Sequence, residues 1–206
     1  MPLTRRALLK FGLALPPLAY ACSLGQGNRA YAASQQEEAV LTPERRNQLL
    51  DDARAAWQFF EQPGRQLTGL VPANIWHEGS GYGTYRIVTM WDVGSILLAT
   101  VSAHALQLID DAELSRRMAG LDNFLRRTTY SFRGAKLPNF RSNIDTARSI
   151  EAGYDATDTA RLFIALHVAD RRRVPNLDSR ALVESWDLDR TILDGNIWSI
   201  KRGKLE

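Results

Sequence analysis

Residues 89–109, TMWDVGSILLATVSAHALQLI, form the stretch that decides the fold. Thr89 and Asp92 stand three residues apart ahead of a long apolar run, a spacing that predicts a capping box at the start of a helix. Beyond Asp92, large apolar residues recur every three or four positions, and small residues fill much of the remaining surface. A helix that is apolar or small on nearly every side is packed on several sides. We therefore expect an inner helix surrounded by others, and its polar interruptions exclude a membrane span.

Trp91 and Asp92 are adjacent at the start of this helix and suggest a function. An indole offers a flat apolar platform with one hydrogen-bond donor, and a carboxylate beside it accepts hydroxyl groups or takes part in acid–base chemistry. This combination suits a sugar ring. The structural interpretation is that Asp92 caps the helix and Trp91 fills a gap in the core. Taken alone, the two residues favour the structural interpretation.

The basic character of the chain comes from its N-terminus. Residues 1–33 contain four basic residues and no acidic one, so the net charge of +3 becomes about −1 for the remainder. This distribution gives no support for a nucleic-acid partner. Residues 4–10, TRRALLK, closely follow the twin-arginine export pattern, and residues 8–18 form a short apolar core. We therefore expect residues 1–33 to be a signal peptide that directs the protein to the periplasm or beyond.

The export segment contains two candidate cleavage sites. Residues 19–21 and 30–32, both AYA, fit the small-x-small pattern, and Cys22 directly follows the first. Cys22 in this context resembles a lipoprotein box, so the mature protein is expected to be either free or lipid-anchored at Cys22. A membrane is therefore expected as a partner only through the signal or the lipid anchor. Residues 34–41 form a polar linker, and the body beyond it contains no cysteine and no internal disulfide.

Four more helices are predicted from capping signals ahead of periodic apolar segments. Their predicted starts are Thr42, Asp110, Asp155 and Asp178. The connections at residues 65–88 and 128–154 are long and rich in aromatic residues, which favours functional loops over disordered ones. A turn at Asp194-Gly195 precedes a short strand near residues 197–200. Short connections join the helices at the other end, so the residues predict an all-α fold of helical hairpins with their long loops on one face.

Six segments, in their order and spacing, resemble the exported bacterial domain of unknown function 3131. They are AWQFF at 56–60, TGLV at 68–71, TMWDVGSILLA at 89–99, LPN at 137–139, TDTARLFIAL at 157–166 and WDLDRTILDGNIW at 186–198. The resemblance covers most of the chain beyond about residue 50, and TMWD with the later D-x-x-R-L carries most of its specificity. That family is similar to the glucoamylase-like helical toroids, which are glycan-active enzymes built from a ring of α-helical hairpins.

The resemblance implies an all-α domain over residues 42–206, formed by the helical hairpins of an incomplete α/α toroid. Family members continue beyond the D-G-x-W region with a stretch rich in glutamate and tyrosine, whereas this sequence ends at Glu206. The predicted helices are too few to close the ring. We therefore expect a C-terminally truncated form: a fragment, a frameshifted product, or one half of an assembly that completes itself by association.

Paired carboxyl groups are the requirement for glycoside hydrolysis, at a separation of about 5–10 Å that depends on the stereochemical course. Asp92 and Asp158 are the candidate catalytic pair, because both are predicted at helix starts on the long-loop face. N-capping is the competing role for each. The candidate substrate-binding residues are Trp76, Trp91, Asn139 and Arg161, for which turn former or core filler is the alternative. Arg161 follows Asp158 by one turn, and an ion pair between them would hold Asp158 ionised and disfavour it as an acid.

Two functions remain open at this point. One is an exported envelope enzyme, similar to glycoside hydrolases, that acts on an envelope polysaccharide or oligosaccharide. The other is a non-catalytic envelope protein that binds a glycan or a partner through the same aromatic loops. The three histidines, at positions 77, 104 and 167, lack the paired spacing of metal ligands, so neither a metal nor a cofactor is predicted.

Overall fold

The structure, a computed structural model, describes residues 41–61, 70–78 and 81–205, with the backbone alone for residues 75–78 and 81–82. The chain divides into two compact units, Met1–Asn47 and Gln48–Glu206. The predicted signal peptide at 1–33, including Cys22, and residues 34–40 of the predicted linker lie outside the described residues. Within the described ranges, no helix is both long enough and apolar enough to cross a membrane.

The five helices predicted from capping signals are all present. Asp110, Asp155 and Asp178 are N-caps, and the side chain of each accepts a hydrogen bond from the backbone N–H three residues later. A 3₁₀ turn, Gln58–Glu61, follows the first helix. The helices are α1 (Pro43–Trp57), α2 (Met90–Ala105), α3 (Asp111–Arg127), α4 (Ala156–Arg171) and α5 (Ser179–Glu184).

The prediction of an all-α fold is wrong, because the long connections form short antiparallel strands. The fold is mixed, with both helices and strands in the second unit. The strands are β1 (Asn74–Glu78), β2 (Gly81–Tyr85), β3 (Ile87–Thr89), β4 (Thr129–Phe132), β5 (Ala135–Pro138), β6 (Arg141–Asn143), β7 (Ser149–Glu151), β8 (Gly153–Tyr154), β9 (Ile192–Leu193), β10 (Asn196–Ile197), β11 (Ile200–Lys201) and β12 (Lys204–Leu205). The same strands overturn the description of the fold as an incomplete all-α toroid, while the domain bounds 42–206 stay a prediction.

Tight turns with glycine explain why these connections form hairpins. Residues 133–134 (Arg-Gly), 194–195 (Asp-Gly) and 202–203 (Arg-Gly) all have positive φ angles, as two-residue hairpin turns of type I′ require. They join β4 to β5, β9 to β10 and β11 to β12. Pairing satisfies backbone N–H and C=O groups that a loop packed on the helices would otherwise leave without partners.

Two three-stranded sheets lead into the helices that carry the candidate residues. In the first sheet, β6 lies between β3 and β7, and β3 runs directly into α2. In the second, β11 lies between β8 and β12, and β8 leads into α4. A side chain at Gly153 would place its Cβ 2.6 Å from the carbonyl oxygen of Ile200, so glycine allows β8 and β11 to pair.

Helix α2 packs side by side with α4, and the contacts between them show that the helices run parallel. Thr89 at the start of α2 reaches Asp158 in the first turn of α4, and Gly94 meets Leu162 one turn further along both helices. The main core surrounds this helix pair and includes α3 and α5. Its largest fully buried members are Leu70, Met90, Leu97, Met118, Leu121, Phe124, Leu125, Ile144, Leu162, Leu166 and Leu182. One side of α2, with Trp91, Ser102 and Leu106, remains exposed, so other elements cover the helix only in part.

Candidate functional site

The starts of α2 and α4 lie next to each other and form the candidate site. We call this group of five residues, Thr89, Trp91, Asp92, Asp158 and Arg161, the helix-start site. Asp92 is the third residue of α2, and its Oδ2 accepts a hydrogen bond of 2.8 Å from the backbone N–H of Thr89. The predicted capping box is therefore confirmed. One carboxylate oxygen of Asp92 thus has a structural role, which the sequence also predicted.

Asp158 does not cap its helix. The N-cap of α4 is Asp155, whose carboxylate accepts a hydrogen bond of 2.9 Å from the backbone N–H of Asp158. The side chain of Asp158 is therefore free to contact α2, where the hydroxyl of Thr89 is within hydrogen-bonding reach. The same hydroxyl lies 3.2 Å from Asp92 Oδ2. Both carboxyl groups therefore lie beside the hydroxyl of Thr89.

Burial is the main cause that raises the pKa of the Asp158 carboxyl above its ordinary value. The negative charges of Asp155 and Asp92 raise this pKa further. The nearby hydroxyl of Thr89 and the positive charge of Arg141 act in the opposite direction and lower this pKa. The net shift is upward, so Asp158 retains its proton to a higher pH than an exposed aspartate does. A carboxyl group of this kind can donate a proton.

Trp91 and Arg161 form the second half of the site. The indole of Trp91 is 44% exposed, so it does not fill a gap in the core. The guanidinium carbon of Arg161 lies 4.6 Å from the centre of the indole, and Arg161 Nε donates a hydrogen bond of 3.1 Å to Ser95 Oγ. Arg161 therefore stacks on Trp91, and the cation that lowers the pKa of Asp158 is Arg141 instead.

Arg141 is a site residue that sequence reasoning missed. It pairs with Thr89 in the register of β6 with β3, which places it beside the helix-start site although 52 positions separate the two residues. Its Nη1 forms an ion pair of 3.0 Å with Glu151 on β7, and its guanidinium also stacks on Phe140 at 4.9 Å. Lys201 on β11 approaches the ring of Phe140 at 5.8 Å. No local motif marks these residues, since only the strand pairing brings them here.

Asn139 and Trp76 are not brought into the helix-start site by the described contacts. Asn139 is 1% exposed, and its Nδ2 donates to the carbonyl oxygen of Arg141 at 2.7 Å and to Ser142 Oγ at 2.9 Å. Its Oδ1 accepts a hydrogen bond from Ser149 Oγ, so all three hydrogen bonds of this amide are made within the β-structure. Trp76 lies in β1 opposite Gly83, and its side chain is outside what the structure describes.

Residues 41–61, 70–78 and 81–205 contain no cluster of side chains that could bind a metal ion. There, no three His, Cys, Asp or Glu side chains come together as a cation would need. His104 forms a contact of 2.7 Å with Asp111, at the end of α2 away from the helix-start site. The helix-start site presents two carboxyl groups, a guanidinium and an aromatic ring.

The comparison with protein families assigns the chain. Residues 51–205 match the model of a family described as "Protein of unknown function (DUF3131)".

The chain belongs to the DUF3131 family.

The match covers α2 to α5 and every residue of the helix-start site. No curated protein has a sequence that matches this DUF3131 chain significantly. Among solved structures, the chain resembles the crystal structure of a "putative glucoamylase" from Bacteroides fragilis, with 22% sequence identity and a TM-score of 0.51. The likeness covers 72% of this DUF3131 chain but only 36% of the B. fragilis chain, so it spans about a third of that protein. At this identity the likeness concerns the fold.

Proposed function

We propose that this DUF3131 chain hydrolyses a glycan of the cell envelope at the helix-start site. Asp158 serves as the general acid, Asp92 as the second carboxyl group, and Trp91 as the surface on which a sugar ring stacks. The observation that carries the proposal is the pairing of Asp158 with Asp92 across the hydroxyl of Thr89, with the pKa of Asp158 raised by burial. The description of the B. fragilis structure as a glucoamylase agrees with this substrate class.

The chemical step needs both carboxyl groups. Asp158 donates its proton to the glycosidic oxygen as the bond from that oxygen to the anomeric carbon breaks. In a one-step course, Asp92 removes a proton from the water molecule that attacks the anomeric carbon. In a two-step course, Asp92 attacks that carbon and forms an ester, and water then breaks the ester while giving its proton back to Asp158. In both courses the elements of water are divided between the two products. Either stereochemical course uses the same two carboxyl groups, and the distance between them decides which course is followed.

The N-terminal sequence supports an action of the protein outside the cytoplasm. The twin-arginine pattern of residues 4–10 and the short apolar core after it support export, and Cys22 supports a lipid anchor. An exported glycan-processing protein meets the polysaccharides and oligosaccharides of the envelope as its substrates. Mass spectrometry of the mature N-terminus, in cells with and without a working twin-arginine pathway, tests this part of the proposal separately.

The experiment that tests hydrolysis compares four forms of the full chain on a panel of envelope polysaccharides. They are the wild type, Asp158→Asn, Trp91→Ala and the control Asp111→Asn. Asp111 is a matched control because it is also an acid in the first turn of a helix, but it contacts His104 at the far end of α2. Release of reducing ends reports hydrolysis, and retardation in a gel containing the polysaccharide reports binding.

The expected result separates hydrolysis from binding. Loss of a general acid typically costs about 10²- to 10⁴-fold in rate, so Asp158→Asn should lose release at this scale but still bind. Trp91→Ala should weaken both binding and release of reducing ends, whereas Asp111→Asn should change neither of them. If Asp158→Asn releases reducing ends as fast as wild type does, Asp158 is not the general acid. If wild type releases no reducing ends while Trp91→Ala abolishes retardation, the chain is a non-catalytic glycan-binding protein. That alternative is favoured by the role of Asp92 in the capping box, which occupies one of its oxygens.

A further inference from the structure

Arg161 is held in place at two points, and its remaining hydrogen-bond donors are unoccupied within the described part of the chain. Its flat face lies on Trp91 at 4.6 Å, and its Nε donates to Ser95. Neither Nη group takes part in a hydrogen bond or an ion pair with a residue that the structure describes. A guanidinium that is stacked and anchored through Nε has lost most of its rotational freedom before any ligand arrives, which lowers the entropic cost of binding.

The positive charge of Arg161 is also not neutralised by the carboxyl groups of the helix-start site. The cation that acts on the pKa of Asp158 is Arg141, and Arg141 itself pairs with Glu151 at 3.0 Å. Among the residues whose side chains the structure describes, no carboxylate forms an ion pair with this half-buried, fixed cation, although Asp92 and Asp158 belong to the same site. The unused charge therefore points to a group supplied by the ligand.

A guanidinium with both Nη groups available matches a carboxylate in shape. Two parallel N–H···O bonds form between the planar groups, and this charge-assisted pair is stronger than two neutral hydrogen bonds. A doubly charged phosphate would meet strong repulsion from the neighbouring acids, whereas a carboxylate brings a single charge.

We infer that Arg161 binds a carboxylate on the sugar, so that the glycan handled at the helix-start site contains uronic acid residues. This inference rests on the proposed function, since it names the substrate class of the same site. The sugar ring is expected against the exposed part of Trp91, with its carboxylate on the Nη groups of Arg161. The glycosidic bond to the next sugar then faces Asp158, one helical turn earlier on α4.

The test measures binding and not turnover. Isothermal titration calorimetry compares a uronic acid oligosaccharide with the same oligosaccharide after its carboxyl groups have been reduced to alcohols, and with a sulfated neutral oligosaccharide of equal length. Four full-length proteins are titrated: wild type, Arg161→Gln, Arg161→Lys and Arg171→Gln. Arg171 is exposed in the last turn of the same helix, so its substitution removes an equal charge far from the site. Thermal melting of each variant establishes that it is folded.

The expected outcome is a carboxylate preference that depends on Arg161. Hydrogen bonds to charged groups contribute about 1.5–3 kcal/mol, so wild type should bind the uronic acid form about 10- to 100-fold more tightly than the reduced form. Arg161→Gln should lose this preference and keep the weaker affinity for the reduced form. Arg161→Lys should recover only part of it, because an ammonium cannot form the two-fold contact. Arg171→Gln should behave as wild type does.

The contrary outcomes can be told apart. Equal binding of the uronic acid and reduced forms, or a preference that survives in Arg161→Gln, overturns the inference and leaves the proposed function intact. Preferred binding of the sulfated oligosaccharide overturns the carboxylate assignment. Tight, Arg161-dependent binding of the uronic acid form without any release of reducing ends supports the inference and contradicts hydrolysis. Absence of binding to all three oligosaccharides overturns the inference, and the proposed function is then decided by the panel of envelope polysaccharides alone.

Discussion

Gly94→Ala tests whether α2 and α4 touch as closely as the helix-start site requires. A Cβ atom at Gly94 would lie 3.0 Å from Leu162 Cα, 3.1 Å from Leu162 N and 3.1 Å from the carbonyl oxygen of Arg161. All three are backbone atoms of α4, so no side chain can rotate away to make room. Carbon atoms pack best at about 3.5–4.0 Å, and the two helices must therefore separate by about 0.5–1 Å.

The magnitude of the effect is the difference between two opposing contributions. Overpacking of a well-packed interior costs about 1–3 kcal/mol. Alanine in place of glycine inside a helix stabilises the folded state by about 1 kcal/mol. We therefore expect the free energy of unfolding to fall by about 1 kcal/mol. A displacement of about 1 Å between catalytic groups can lower a rate about 100-fold, so glycan release should fall far more than stability does.

The assay is urea unfolding followed by tryptophan fluorescence, with the free energy obtained by linear extrapolation and m-values compared between variants. Ser102→Ala is the control, because Ser102 is exposed on the same helix and its substitution should change the free energy by no more than about 0.5 kcal/mol. If Gly94→Ala is instead more stable by about the helix-propensity gain of 1 kcal/mol, the two backbones are not in contact. The site built on that contact would then have to be abandoned.

Two further predictions concern the pKa of Asp158. Thr89→Val removes the hydroxyl hydrogen bond that lowers this pKa, so the pKa should rise and the alkaline limb of the pH profile for glycan release should move to higher pH. An unchanged limb would show that the hydroxyl does not reach Asp158. Asp158→Asn should raise the melting temperature at neutral pH. A carboxyl group with a raised folded-state pKa contributes stability below the unfolded-state pKa, and this stability is lost as the pH rises through the folded-state pKa. Ionised Asp158 therefore destabilises the protein at neutral pH, and Asn, which carries no charge, removes this effect. Calorimetry at neutral pH is compared with calorimetry in acid, below the ordinary pKa of aspartate. In acid, wild type and Asp158→Asn should have the same melting temperature. An equal difference in melting temperature at both pH values would contradict the burial of Asp158.

The helices were readable from the sequence because helix formation is local. Asp110, Asp155 and Asp178 cap helices exactly one residue ahead of the first helical residue, and the Thr89–Asp92 box forms as its spacing predicts. Apart from the strand expected near residues 197–200, where β10 and β11 lie, the strands were missed because they are two to five residues long and lack an alternating pattern. The turn at residues 194–195 has the favoured Asp-Gly pair, whereas the turns at 133–134 and 202–203 have Arg-Gly, a weaker hairpin signal.

The candidate site was predictable only in part, because some of its residues are placed by local helix signals and others by pairing between distant segments. Asp92, Asp158 and Trp91 stand at helix starts, so their meeting at one end follows from helices of known direction. The placement of Arg141 depends on the register of β6 with β3, which no local pattern specifies. The stacking of Arg161 on Trp91, in place of an ion pair with Asp158, depends on the close approach of α2 and α4 at Gly94.

The parallel course of α2 and α4 has an electrostatic consequence for the acids at their starts. Neighbouring antiparallel helices set the positive end of one peptide dipole beside the negative end of the other, and the two fields largely cancel. In this protein the N-terminal, positive ends of the α2 and α4 dipoles lie next to each other, and each is equivalent to roughly half an elementary charge. The backbone alone therefore places about one positive charge behind Asp92 and Asp158, in addition to the guanidinium of Arg141. The backbone itself thus offsets part of the repulsion between two carboxylates that a fold with alternating helices would have to neutralise with lysine or arginine.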